Sequence, residues 1–173
     1  ISCSLVGSEM CIRDRNMRAL AKECGIALGT LYNYYSDKDE LVVAAIESVW
    51  QDILEKSAPD SGGRFSQYVT HIYARILSGL KDYPDFFAAH SISVAGSAKG
   101  KARGMMERCF GKIRAELHAA LLADKNVDRG IFSETFREED LIEHILDTIT
   151  ISIINGKPDC AVLTEILDRL LYR

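Results

Sequence analysis

Between positions 16 and 41 the apolar residues fall in two short bursts, each with the spacing of one helix face. Met17, Leu20, Ala21 and Cys24 form the first burst, and Asn16 ahead of them has the side chain to cap a helix N-terminus. Gly25 follows where a helix end calls for a residue that tolerates positive φ. Ile26 then plugs the angle to a second helix, which buries Leu31 and Tyr35 and turns Thr30, Tyr32, Asn33 and Tyr34 outward. Two short helices set at a wide angle by a glycine turn make the unit that enters a DNA major groove.

The rest of the chain is helical in pattern, so an all-α fold is predicted. From Lys38 to about Lys56, Leu41, Ala44, Ala45, Val49, Trp50 and Ile53 share a face, and Ala58-Pro59-Asp60-Ser61-Gly62-Gly63 breaks the chain. Arg64 to Tyr83 carries Tyr68, Ile72, Ile76 and Leu80 on one side, Pro84 opens a short helix through Phe86, Phe87 and Ile92, and Gly96 to Gly100 is a polar joint. A long helix then runs to Leu122 with Met106, Cys109, Phe110, Ile113, Leu117, Ala120 and Leu121 in register, and residues 124–136 read as loop. Glu138 to Asn155 and Asp159 to Tyr172 close the chain as two helices. Ile149-Thr150-Ile151-Ser152-Ile153 alternates like a strand, but it continues Leu141, Ile142, Ile145 and Leu146 and has no second strand to pair with, so it is read as helix. Both closing helices carry surplus apolar residues, which suggests a twofold contact with an identical chain.

Composition narrows the function classes. The chain has 173 residues and a net charge of −4. Within residues 16–58, Arg18, Lys22, Lys38 and Lys56 are outnumbered by Glu23, Asp37, Asp39, Glu40, Glu47, Asp52 and Glu55, so a broad basic footprint for nucleic acid is missing. The basic run Lys99, Lys101, Arg103, Arg108, Lys112 and Arg114 reads as a solvated helix face. The five cysteines form no CxxC pair and read as thiols in a reducing compartment. His71, His90, His118 and His144 are scattered, no glycine-rich phosphate loop appears and no nucleophile elbow is present, so no metal, no cofactor and no enzyme activity is expected. No apolar run is long enough for a membrane span, and a cytoplasmic protein is expected.

Leu-Ala-Lys-Glu-Cys-Gly-Ile-Ala, then Gly-Thr-Leu-Tyr-Asn-Tyr-Tyr, then Ser-Asp-Lys-Asp-Glu-Leu resembles the DNA-binding segment of the tetracycline-repressor (TetR/AcrR) family. The resemblance implies an N-terminal three-helix DNA-binding domain and a larger helical domain that binds an effector and dimerises. Residues 1–15 do not show the family's first helix and are read as an extraneous segment, leaving 16–57 as the DNA-binding part with its linking helix and 58–173 as the effector and dimerisation part. Carried over by position, the family's DNA contacts fall on Arg18, Leu28, Gly29, Thr30, Tyr32, Asn33, Tyr34 and Lys38. Asn33 has the amide geometry for adenine, Leu28 can pack on a thymine methyl, and Lys38 beside a helix N-terminus suits a phosphate. The resemblance also implies an effector pocket, for which Tyr68, His71, Ile72, Phe86, Phe87, His90, Met106 and Phe110 are candidates, although the same residues serve equally well as core. It places a dimer interface in the last two helices, here Ile149, Ile153, Val162, Leu163, Ile166, Leu167 and Leu170. The partners implied are a palindromic double-stranded operator, a second copy of the chain and a small-molecule effector. Three readings stay open: a ligand-responsive repressor, a helical dimer that has lost DNA binding, and a helical-bundle enzyme with histidine and carboxylate ligands.

Overall fold

The computed structural model describes residues 17–55, 63–83 and 99–172. Among them the secondary structure is helical apart from one β-bridge between Ser133 and Phe136. The helices are α1 (Met17–Glu23), α2 (Leu28–Tyr34), α3 (Lys38–Glu55), α4 (Phe65–Asp82), α5 (Lys99–Ala123), α6 (Glu138–Ile154) and α7 (Ala161–Leu171), with a 3-10 turn at Arg129–Ile131 between α5 and α6. The all-α expectation holds. Residues 1–16, the loop through Gly62 and the helix expected after Pro84, with Phe86, Phe87 and His90, lie outside the described residues.

Contacts divide the chain into two compact units, residues 1–52 with 80–109 and residues 53–79 with 110–173. The division passes through the interiors of α3, α4 and α5. In α5 the buried stripe is Met105, Cys109, Ile113, Leu117 and Leu121, spaced by four. The pattern expected Met106 and Phe110 in that stripe; both are half-buried, because the helix is turned to put Met105 inward. The joint expected up to Gly100 is likewise shorter, since Lys99 and Gly100 already belong to α5. In α4 the buried face is Phe65, Val69, Ile72, Tyr73 and Ile76, with Tyr68 and Leu80 at its margin.

The strand-like stretch 149–153 is helical, as expected. In α6 Leu141, Ile142, Ile145, Leu146, Ile149 and Ile153 recur at helical intervals and are buried, while Ile151 points away from them and is exposed. The alternation is a helix with apolar residues on both its inner and its outer face.

One buried carboxylate ties three distant parts of the second unit together. Asp124, at the end of α5, accepts from the backbone N–H of Phe65 at 2.8 Å and from the Tyr172 hydroxyl at 2.6 Å. Its other oxygen accepts from the Asn126 backbone at 2.9 Å. Phe65 opens α4, so the carboxylate satisfies a helix N-terminus where negative charge is favoured. Burial works against the Asp124 charge, but the hydrogen bonds from Tyr172, Phe65 and Asn126 outweigh it and hold the carboxyl below its ordinary value. Tyr172 is pushed up to about 12, first by burial and then by its bond to Asp124.

These shifts define a pH window. The lowered Asp124 contributes its stability fully above the ordinary carboxylate range and loses it as the pH falls through its folded value. The raised Tyr172 contributes fully below the ordinary phenol value and loses it as the pH climbs through about 12. Asp124→Asn is expected to cost about 2 kcal/mol at neutral pH, by denaturant titration, because donors now meet an amide. The acid limb of its stability curve should also be shallower than that of the wild type. An unchanged acid limb would show that Asp124 contributes nothing there.

Candidate nucleic-acid interface

The sequence from Met17 to Leu41 builds a small core of its own. Met17, Leu20, Ala21, Leu31 and Leu41 are buried together, and Ile26, Leu28, Tyr35, Val42 and Ala45 pack partly against them. Gly25 makes the turn between α1 and α2 with φ +67°. Its N–H bonds to Lys22 O at 3.2 Å and the N–H of Ile26 bonds to Ala21 O at 3.0 Å, a pairing that closes a helix around a left-handed residue. Ile26 is thereby brought onto the core from beyond the helix end, as expected from its position.

The start of α3 is closed by side chains. Asp37 Oδ1 accepts from the Glu40 backbone N–H at 2.7 Å. Glu40 Oε2 in turn accepts from the Ser36 backbone N–H at 2.7 Å and from the Ser36 hydroxyl at 2.6 Å. This reciprocal pattern satisfies orphan donors at a helix start and fixes the chain between α2 and α3. The acidic residues that make this segment negative are therefore in part the caps that shape it.

On that frame α2 presents one face. Leu31 is buried, whereas Tyr32 is 50% and Tyr34 66% exposed, and Gly29, Thr30 and Asn33 are also exposed. Arg18 lies exposed on α1, and Lys38 is half-buried as the first residue of α3. Leu28 is half-buried and packs against the core, which leaves only part of its side chain to an outside partner. Six of the positions carried over from the resemblance are thus on the surface, with Leu28 and Lys38 at its edge. The exposed set is rich in hydroxyls and carries one amide, groups that can donate to phosphates and read base edges.

Among the effector-pocket candidates, Tyr68, Met106 and Phe110 are half-buried, Ile72 is fully buried and His71 is exposed. The pattern missed a charged pair in the second unit: Arg75, buried on α4, donates to Glu116 on α5 at 2.7 Å. The Tyr68 phenol is raised by burial and then by Glu116, with Arg75 opposing. An arginine on an otherwise apolar helix face was the available sign. Among the described residues, no group of His, Cys, Asp and Glu could hold a metal ion.

The closing helices divide their apolar residues. Ile149, Ile153, Leu163 and Leu167 are buried within the protomer. Val162 (75%), Ile166 (54%) and Leu170 are exposed on α7, and Ile151 and Ile154 are exposed on α6. A groove of about 480 Å³ runs beside this surface, with Phe136, Leu141, Ile145 and Ile166 among its walls. Ile151 and Ile154 were not among the expected interface residues.

Residues 13–45 match the family model described as bacterial regulatory proteins, tetR family. No curated protein and no solved structure matches the chain closely enough to be counted as similar. No described helix is long and apolar enough to cross a membrane.

Two glycines separate folding from recognition. A Cβ at Gly25 or at Gly29 would meet nothing within 4 Å, but only Gly25 has positive φ. Gly25→Ala is expected to cost about 1–2 kcal/mol locally and to speed amide exchange in α1 and α2 by roughly five- to thirtyfold. Gly29→Ala should leave exchange unchanged or slower, since alanine is the better helix residue. Equal acceleration by both variants would contradict a turn held by Gly25.

Proposed function

We propose, from the match of residues 13–45 to the tetR-family model, that this chain is a DNA-binding transcription regulator of that family and acts as a homodimeric repressor of a palindromic operator, released by a small-molecule effector. The observation that carries the reading is the outward face of α2. The helix buries Leu31 in the core, packs Leu28 at the core's edge and leaves Thr30, Tyr32, Asn33 and Tyr34 on the surface. A helix of seven residues anchored on one side by a leucine is suited to lie in a major groove while its neighbours hold phosphates. Arg18, Lys38 and the two exposed tyrosines take the backbone, and Asn33 reads a base.

Two further parts of the reading draw support from the second unit. The exposed apolar residues of α6 and α7 form a surface that a second copy would cover, joining two reading heads about a twofold axis. The central helices bring Tyr68 and the Arg75–Glu116 pair near one another, polar groups of the sort that orient a ligand against apolar walls. An effector that favours one arrangement of the heads lowers operator affinity by its differential affinity alone.

Gel shifts with the region upstream of the chain's own gene test the DNA reading. Asn33→Ala is expected to relax preference at one base pair per half-site, costing about 1–3 kcal/mol there. Lys38→Ala should weaken binding to all sequences alike and lower the salt slope by about one per protomer. Equal losses on operator and random DNA for Asn33→Ala would refute its role as a base reader.

The dimer is tested by charge at the exposed positions. Val162→Asp and Ile166→Asp should give a folded monomer by sedimentation, because both side chains already face outward in the protomer. Leu167→Asp, at 1% exposure, should instead unfold the domain. Folded dimers from both surface variants would move the interface elsewhere.

A further inference from the structure

Helix α4 carries a glycine in its last turn, a residue that alanine outranks in a helix. Gly79 is buried, and the reason for the missing side chain is Ile53 of α3. A Cβ at position 79 would lie 2.5 Å from Ile53 Cγ1, 2.9 Å from Cγ2 and 3.1 Å from Cβ. Carbon atoms in contact stand about 3.5–4.0 Å apart.

Rotation of Ile53 cannot relieve this. Its Cβ carries two carbons and one hydrogen in three staggered positions, and both carbons now sit against Gly79. Any other rotamer moves the hydrogen into one of those two positions and leaves a carbon in the other, and a β-branched residue in a helix strongly prefers one χ1 in any case. The Ile53 Cβ itself is fixed to the backbone of α3. A methyl at position 79 must therefore push α3 and α4 apart by about 1 Å.

Helix α3 is continuous from Lys38 to Glu55. Leu41 near its start is one of the five residues of the buried cluster that holds α1 and α2, and Ile53 lies twelve residues, about 18 Å, further along. Between them Glu47 accepts from Arg108 at 2.9 Å and Asp52 accepts from Tyr83 at 2.5 Å, so the helix is held rather than loose. We infer that Gly79 is a positioning residue for operator binding, the seat on which Ile53 rests and which sets the lie of α3 and, through it, the aim of α2. The inference rests on the dimeric DNA-binding reading, because two heads match a paired site only at one spacing.

The test uses the full chain, with the duplex that wild-type protein enriches from a random pool as probe, alongside its isolated half-site. Gly79→Ala is expected to bind the paired site about tenfold more weakly, the loss of one well-placed contact, while binding the half-site like the wild type. It should also enrich paired sites of altered spacing. Gly79→Ala/Ile53→Ala removes the two closest carbons, leaving the new methyl only the residue 53 Cβ at 3.1 Å, and should recover paired-site affinity to within about threefold. Gly79→Ala that binds the paired site like the wild type overturns the inference. So does a loss equally large on the half-site, or a folded double variant as weak as the single one. If Gly79→Ala does not fold, the double variant alone decides: folding with wild-type affinity supports the seat, and weak binding overturns it. A wild type that enriches no duplex contradicts the DNA-binding reading itself, and the role of Gly79 falls with it.

Discussion

The angle between α1 and α2 is the constraint on which the rest depends. It is set by one residue in the left-handed region, Gly25, and by five buried side chains too few to tolerate a change of geometry. A core of this size has no redundancy: Leu31 is the only fully buried residue that α2 contributes. Because that one anchor fixes the rotation of α2, it also decides which residues face outward. The surface of Thr30, Tyr32, Asn33 and Tyr34 is the complement of a leucine in a pocket.

Electrostatics shapes how such a surface would work. The described residues 17–55 carry more carboxylates than cations, and two of the carboxylates are committed to the chain's own backbone. Asp37 and Glu40 cap α3 and tie Ser36 to it. A head of this kind draws little from counterion release, so its affinity for random DNA would be low and its discrimination would come from hydroxyl and amide contacts. Acidic caps and sparse cations thus suit a protein that must ignore most of the DNA it meets.

What was legible in the sequence was local. The α1–turn–α2 unit could be read because its apolar spacing, its glycine and its outward residues lie within about twenty positions of one another. The helical character of 149–153 followed from the apolar residues that precede it. Rotations were harder. Met105 and Met106 are adjacent and chemically equal, so the pattern could not say which one faces inward; α5 buries Met105 in place of Met106, while Cys109, Ile113, Leu117 and Leu121 are buried as expected. The apolar surplus of α6 and α7 was legible, but its division was not, since Ile149 and Ile151 look alike until a neighbour covers one of them. Ties between remote positions left no trace. Asp124 joins Phe65 to Tyr172, and Gly79 makes room for Ile53, through contacts that no periodicity encodes.

The central claim is that the outward face of α2 reads sequence on double-stranded DNA. The most direct measurement is the ratio of affinities of the full chain for an enriched duplex and for a random duplex of equal length, by fluorescence anisotropy at physiological salt. The account predicts a ratio on the order of a thousand or more. Equal affinity for the two duplexes, or no measurable binding to either, would contradict it.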